Sequence, residues 1–352
     1  MGRKFLESNA ASTDCWFNKI KMKHIRRFIF LAFMTLILFS CGNKKNTPII
    51  PEEDTITANI PTFCEDSALQ IVQKQCDFGP RTMGSEAHEK CGKYIVSEFR
   101  RFGCKVSLQK AIFIRYDGVK MKGYNIIASV YPKAQKRMMI CTHWDSRPWC
   151  DHDPDSTKWH EPVLAANDGA SGVGVLLEIA RVLQKDSLNY GVDLVCFDAE
   201  DVGTPEWLSK EQNDDDTWCL GAQYWARHLH TQDIQFAILL DMVGGVGAHF
   251  YQEGFSKQYA NEVVNRVWNA AKGAGYAEVF PKEEGGMITD DHLPLNRIAN
   301  IPTIDIIPYY PTSTSGFGPT WHTTQDNMKN ISPITLKAVG QTLLYFLFTE
   351  NI

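Results

Sequence analysis

Apolar residues recur along the chain in two periods. In Asp66–Cys76 they fall at Leu69, Ile71, Val72 and Cys76, and in Glu86–Phe102 at Ala87, Cys91, Tyr94, Ile95 and Phe99. That is the spacing of amphipathic helices, and Gly103 stops the second one. Val173–Leu183, Gly221–His230, Lys257–Gly273 and Ile334–Phe348 read as further helices. Between them lie short runs of β-formers: Val106–Leu108, Ala111–Arg115, Tyr124–Tyr131, Arg137–Cys141, Asp193–Asp198, Gln235–Asp241 and Ile301–Ile307. Asp117-Gly118 and Pro132-Lys133 supply turns, and residues 203–217 and 308–319 read as loops. Strands alternating with helices predict an α/β domain with a mostly parallel or mixed sheet.

In such a sheet, ligands bind beyond the carboxyl ends of the strands. His143, Asp145, Asp198, Glu200, Asp201 and Asp241 all stand at or just past the end of an apolar run. The stretch His143–Gly174, HWDSRPWCDHDPDSTKWHEPVLAANDGASGVG, holds more Asp and His than a solvated loop needs. His and carboxylate are the usual donors to a catalytic zinc, which keeps one position open for substrate. No HExxH occurs, so the donors have to come from separate strand ends.

Asp168, in Asn167-Asp168-Gly169 ahead of a helix, Asp201, and His322 after a long loop would make a three-donor site. Glu200 precedes Asp201 directly, and neighbouring side chains on an extended segment point apart. One can therefore bind metal while the other serves as base. Each residue alone has a plainer reading. Asp168 would cap a helix, Glu200-Asp201 would be a solvated strand end, and His322 a surface histidine. Asp241 would cap the following glycine turn, and Asp290-Asp291-His292 would form a solvated turn. Within the opening stretch, Asp151, His152, Asp153, Asp155 and His160 read as solvated loop residues.

The chain has 352 residues, 44% hydrophobic and 22% charged, with net charge -5. That length allows one large or two small domains. The charge supplies no basic face for nucleic acid. Lys21, Lys23, Arg26 and Arg27 precede the apolar run Phe28–Ser40, the pattern of a signal peptide. Leu38-Phe39-Ser40-Cys41-Gly42 resembles a bacterial lipobox, which makes Cys41 the lipidated residue of an envelope protein, with the periplasmic side favoured. Residues 1–41 are then the leader, with Met22 a candidate start, 42–60 a tether, and 61–352 the catalytic domain. Eight of the ten cysteines lie beyond Cys41, and an exported chain could pair some of them. No CxxC occurs.

The order HxD, NDGASG before a helix, an acid pair after a strand, LLDMVG and a late WHT resembles the zinc-dependent M28 peptidase superfamily, from about Phe63 to the C-terminus. That resemblance implies a single domain with a central mixed, twisted sheet flanked by helices. The closer likeness is to the animal-type and bacterial glutaminyl-peptide cyclotransferases. It rests on Phe78-Gly79-Pro80-Arg81 with Gly84-Ser85, on Thr289-Asp290-Asp291-His292 before Leu293-Pro294, on Trp321 before His322, and on Trp207 after the acid pair.

The likeness implies one zinc held by Asp168, Asp201 and His322, with Glu200 as general base and acid. Asp241 and Asp290 would lie near the substrate amine, and Trp207 and Trp321 would wall the pocket. Asp201 departs from the commoner Glu of the animal enzymes. The implied reaction turns an N-terminal glutamine of peptides into pyroglutamate with loss of ammonia, in a monomer. The rival reading is a two-zinc aminopeptidase of the same superfamily, in which His143 and Asp241 hold the second metal. In a cyclotransferase, His143 and Asp145 become supporting polar groups. A third reading is an inactive peptide-binding lipoprotein.

Overall fold

Asp117 and Gly118 turn the chain between β1 (Lys105–Ile114) and β2 (Lys120–Val130), with Gly118 at φ +82°. The two strands pair antiparallel from Lys105 opposite Ser129 to Ile114 opposite Lys120. The sequence splits β1 in two at Gln109-Lys110, but the structure joins the halves. β1 is an edge strand with most side chains in water, so polar residues there cost little. Ile112 and Ile114 are 59% and 58% exposed.

These strands belong to a computed structural model that describes residues 59–352 except 187, 209–214 and 230–232. The expected signal peptide, Cys41 and residues 42–58 of the tether lie outside the described residues. Ile60, at the tether's end, packs against the core.

β3 (Lys136–His143), β4 (Gly191–Phe197), β5 (Asp233–Leu240) and β6 (Thr303–Ile306) complete a six-stranded sheet in the order β1-β2-β4-β3-β5-β6. β2 runs antiparallel to β4, and β4, β3, β5 and β6 are parallel, so the sheet is mixed. The parallel strands are near-continuous apolar runs because both faces are covered. Met138 and Ile140 point into the larger core, and Met139 and Cys141 into the smaller one, as a side-chain period of two requires. The larger core also takes α1 (Glu65–Cys76), α2 (Glu86–Arg101), α3 (Ala170–Leu183), α5 (Gly254–Gly273) and α7 (Pro333–Thr349). The smaller core takes α4 (Leu220–Arg227) and α6 (His292–Arg297).

The helix ends follow capping chemistry. Ser85 accepts the His88 N–H at 3.0 Å to open α2, and Ser332 with Pro333 opens α7. α6 is the helix that the sequence pattern hides. Pro294 looks like a breaker, yet it lies in the first turn, where its missing N–H would have no helical acceptor. The eight described cysteines stand as separate thiols, and Cys141 and Cys196 are core residues.

The registers bring the carboxyl ends of the parallel strands level. His143 lies opposite Phe197, and Leu240 opposite Ile306. Asp198 through Asp201 and Asp241 therefore emerge together along one edge.

Candidate active site

Three sharp corners present the acids at that edge. Ala199, Met242 and His322 are non-glycine residues with φ of 57°, 49° and 54°, a conformation that persists only where the surroundings enforce it. They flank Glu200, Asp241 and Trp321. Gly169 is required for a different reason. It has φ +95°, and a Cβ there would sit 2.9 Å from the Asp145 carbonyl oxygen and from His143 Cε1.

Asp168 does not cap α3, whose N-cap is Gly169. Its backbone is tied from behind, where Asp326 accepts the N–H of Asn167 and of Asp168 at 2.7 and 3.0 Å. The Asp168 side chain is left facing the strand ends. Nor does Asp241 cap the glycine turn, since the Gly244 N–H goes to Asn167 Oδ1 at 2.8 Å.

Donor atoms of Asp168, Asp201 and His322 lie within 4.8 Å of one another, and all three residues are buried. His322 Nε2 is 3.2 Å from Asp201 Oδ1 and 3.5 Å from Asp168 Oδ2. Buried Asp168 Oδ2 and Asp201 Oδ2 have no hydrogen-bond partner. Two buried carboxylates and an imidazole, converging with those two oxygens unbonded, fit a divalent cation of the zinc type.

A second group, His143, Asp168 and Asp241, could also hold a metal. His143 Nε2 is 3.0 Å from Asp168 Oδ1 and 3.2 Å from Asp241 Oδ1. Asp168 therefore belongs to both groups. Asp145 belongs to neither. Its two oxygens accept the backbone N–H groups of Glu200 and Asp201 at 3.1 and 3.2 Å. Of the two roles expected for His143 and Asp145, the geometry gives Asp145 the supporting one, because both its oxygens are committed to the loop.

Glu200 faces Asp290, with Cys219 as the third member of that group. Carboxylates and tryptophans enclose a small cavity of about 50 Å³, walled by Trp218, Trp321, Phe317 and Ile288. It opens into a groove of about 320 Å³ that shares those four residues and adds Tyr309 and Met287. A larger cavity, about 840 Å³, lies between α2 and the β1–β2 hairpin, and no candidate donor lines it.

Trp207 corrects the expectation. Among the described residues it lines neither the cavity nor the groove, and it packs on Trp149 and His160 at 5.7 and 4.6 Å between ring centroids. Trp218 takes the wall position, its ring parallel to His322 at 6.2 Å. Polarity alone could not have separated the two tryptophans, because both lie on one polar loop.

Two acids read as solvated are buried. Asp151 is 3% exposed and pairs with Arg147, and Asp153 is 7% exposed and accepts the Thr324 N–H at 2.9 Å. His152 is half-buried against Trp321, while Asp155 and His160 are exposed as expected. Arg147 itself was missed, although its place beside the HxD motif was a signal. Also missed was Asp305, which joins Asp290 and His292 in a buried group behind the site. Asp305 lay hidden inside an apolar strand.

Burial sets the electrostatics. It pushes the Glu200 carboxyl well above the carboxylate range, helped by Asp201, and does the same to Asp201, helped by Asp168. Asp241 is pushed up to about 6 by burial, and Asp290 to about 7 by burial and then Asp241. Burial would raise Asp168 too, but the His143 hydrogen bond and charge outweigh it and hold the carboxyl low. Burial, then Arg147, holds His322 well below the usual imidazole range. It is therefore neutral, the form that donates to a metal.

The model of peptidase family M28 matches residues 125–347. The glutaminyl cyclase of Bacteroides thetaiotaomicron, solved with N-acetylhistamine, is 48% identical to this chain with a TM-score of 0.81, over 83% of this chain and 100% of that one. A leucine aminopeptidase precursor from Bacteroides thetaiotaomicron is also 48% identical, with a TM-score of 0.80 over 84% and 100%. The glutaminyl-peptide cyclotransferase of Drosophila melanogaster is 26% identical over 285 residues, 73% of each chain.

Proposed function

The chain belongs to peptidase family M28, among its glutaminyl-peptide cyclotransferase-type members, and we propose that it closes the N-terminal glutamine of peptides into pyroglutamate with release of ammonia. One observation carries this reading. Glu200 and Asp290 face the Asp168, Asp201 and His322 group across a cavity of about 50 Å³ walled by tryptophans.

Asp168, Asp201 and His322 would hold one zinc ion, which when bound polarises the side-chain amide of the glutamine as a Lewis acid. The protein's own groups do the rest. The Glu200 carboxyl takes a proton from the α-amine as the amine nitrogen bonds to the amide carbon. It returns that proton to the amide nitrogen as the old C–N bond breaks and ammonia leaves. Its raised proton affinity suits a group that must both accept and donate. Asp241 and Asp290 hold the amine against the carbonyl, the proximity that a five-membered closure requires. Trp218, Trp321 and Phe317 keep water from competing with the amine.

The His143, Asp168 and Asp241 group favours a second reading, a two-metal aminopeptidase in which Glu200 activates water. A Gln-initiated and an Ala-initiated peptide separate the two. Ammonia from the first, with no amino acid freed from either and one zinc per chain, supports cyclisation. Free alanine or glutamine overturns it. We further place the enzyme on the bacterial envelope through a lipid on Cys41, favouring its periplasmic side. Cys41→Ser should then leave the membrane fraction, and retention there overturns the anchor.

A further inference from the structure

The most heavily bonded buried cation near the candidate centre is Arg147, which is fully buried. Its Nε and Nη2 donate to the two oxygens of Asp151 at 2.7 and 2.5 Å. Its Nη1 reaches the Asp201 carbonyl at 3.2 Å and Asp201 Oδ1 at 3.5 Å, and Nη2 also donates to the Thr204 carbonyl at 3.3 Å. The guanidinium lies over the Trp218 and Trp149 rings at 4.6 and 5.4 Å.

Its partner Asp151 looks the other way. Asp151 Oδ1 is 3.7 Å from His322 Nδ1, a buried nitrogen with no hydrogen-bond partner. Asp151 Oδ2 accepts the Glu206 N–H at 3.0 Å, and the next residue, His152, donates its N–H to the His322 carbonyl at 3.1 Å. One ion pair thus touches the Asp201 corner on one side and the His322 corner on the other.

We propose that the Arg147–Asp151 pair is a positioning element that holds Asp201 and His322 together as donors to a divalent cation. The inference rests on the zinc reading above. A buried ion pair is a poor way to add stability, since apolar replacements often serve as well or better. Its value here is placement. Arg147 fixes the rotation of a donor one methylene shorter than glutamate. The Asp151 charge, 3.7 Å from His322 Nδ1, favours the proton on that nitrogen, the tautomer that leaves Nε2 free to donate. Outer partners of this kind typically change metal affinity by about 10–100-fold.

The test is zinc affinity of the full chain by competition with a chelator, for Arg147→Met, Arg147→Lys, Asp151→Asn and the Met/Asn double variant. Melting of the metal-free proteins serves as the control for folding. The expected result is about 10–100-fold weaker zinc binding for Arg147→Met and Asp151→Asn. The double variant should lose no more than the worse single. Should Arg147→Met fail to fold, Arg147→Lys and Asp151→Asn decide. Arg147→Lys keeps the charge and loses the fork, so it should bind zinc several-fold more weakly with unchanged metal-free melting. Zinc affinity within twofold of the parent in either folded variant overturns the proposal. A parent chain that binds no zinc overturns the zinc reading instead.

Discussion

The Cys219 thiol lies 3.5 Å from Glu200 Oε1, and the Cys219 backbone N–H donates to the Glu200 carbonyl at 3.0 Å. Leu220 N–H goes to the Ala199 carbonyl at 3.1 Å, and both Cys219 and Ala199 sit at positive φ. Two left-handed corners thus hold each other, and the thiol adds a side-chain link to the proposed base. Cys219→Ala should lower kcat by about twofold to tenfold, the span of one neutral hydrogen bond, with KM little changed. Cys219→Ser should restore most of it. Steady-state kinetics decide, and an unchanged kcat in the alanine variant removes the thiol from this role.

Glu200→Gln keeps the shape of the side chain and removes its proton traffic. Turnover should fall by about 10²–10⁴-fold, while zinc content, measured by metal analysis, stays at the parent value. Undiminished activity would sink the assignment of Glu200 as the proton carrier.

Gly221 sits directly beneath the Asp198–Glu200 corner. A Cβ there would lie 2.1 Å from the Asp198 carbonyl oxygen and 2.6 Å from Asn125 Oδ1. The first clash is with backbone, so nothing yields cheaply. Gly221→Ala should cost at least about 1–3 kcal/mol, read as a lower urea midpoint. A midpoint equal to the parent's would mean that the corner moves freely.

Acid should weaken the domain through Glu253. Burial would raise its carboxyl, but His292, its Nε2 3.3 Å away, and bonds from Ser256 bring it down from 4.5 to about 2. Its folded value lies below its unfolded one. Its contribution is therefore fully present above about pH 4.5 and is lost as pH falls toward about 2. The size is roughly 3 kcal/mol at 1.36 kcal/mol per pKa unit. Urea melts between pH 5 and pH 3 should show a steeper loss for the parent than for Glu253→Gln. Parallel curves would contradict this.

The sheet and most helices were legible because apolar period and burial coincide. β3, β4 and β5 are buried on both faces and read as apolar runs. Failures came where a local signal meant something else in three dimensions. The short helix His292–Arg297 carries no apolar period and has Pro294 in its first turn, so no helix was expected there. Gln109-Lys110 looked like a break and lies on an exposed edge.

The candidate site divides the same way. Asp168, Asp201, His322, Glu200, Asp241 and Asp290 stand just past strand ends or inside short motifs, and the fold brings them together. Arg147, Asp151 and Trp218 sit in polar loops whose composition suggests solvent. What shields them is each other: the guanidinium covers an acid and two rings at once. That closure is a property of the loop packing, which no single stretch of the chain carries.

The outer side of β1 has one further consequence, for handling the protein. The strand ends the sheet, and it exposes Ile112 and Ile114 beside a row of backbone donors and acceptors that β2 does not use. Such a rim is a template for strand-to-strand association between molecules. Lys105 and Lys110 on the same strand place positive charge along that rim, so concentrated samples should stay dispersed at low salt and begin to self-associate as salt masks those lysines.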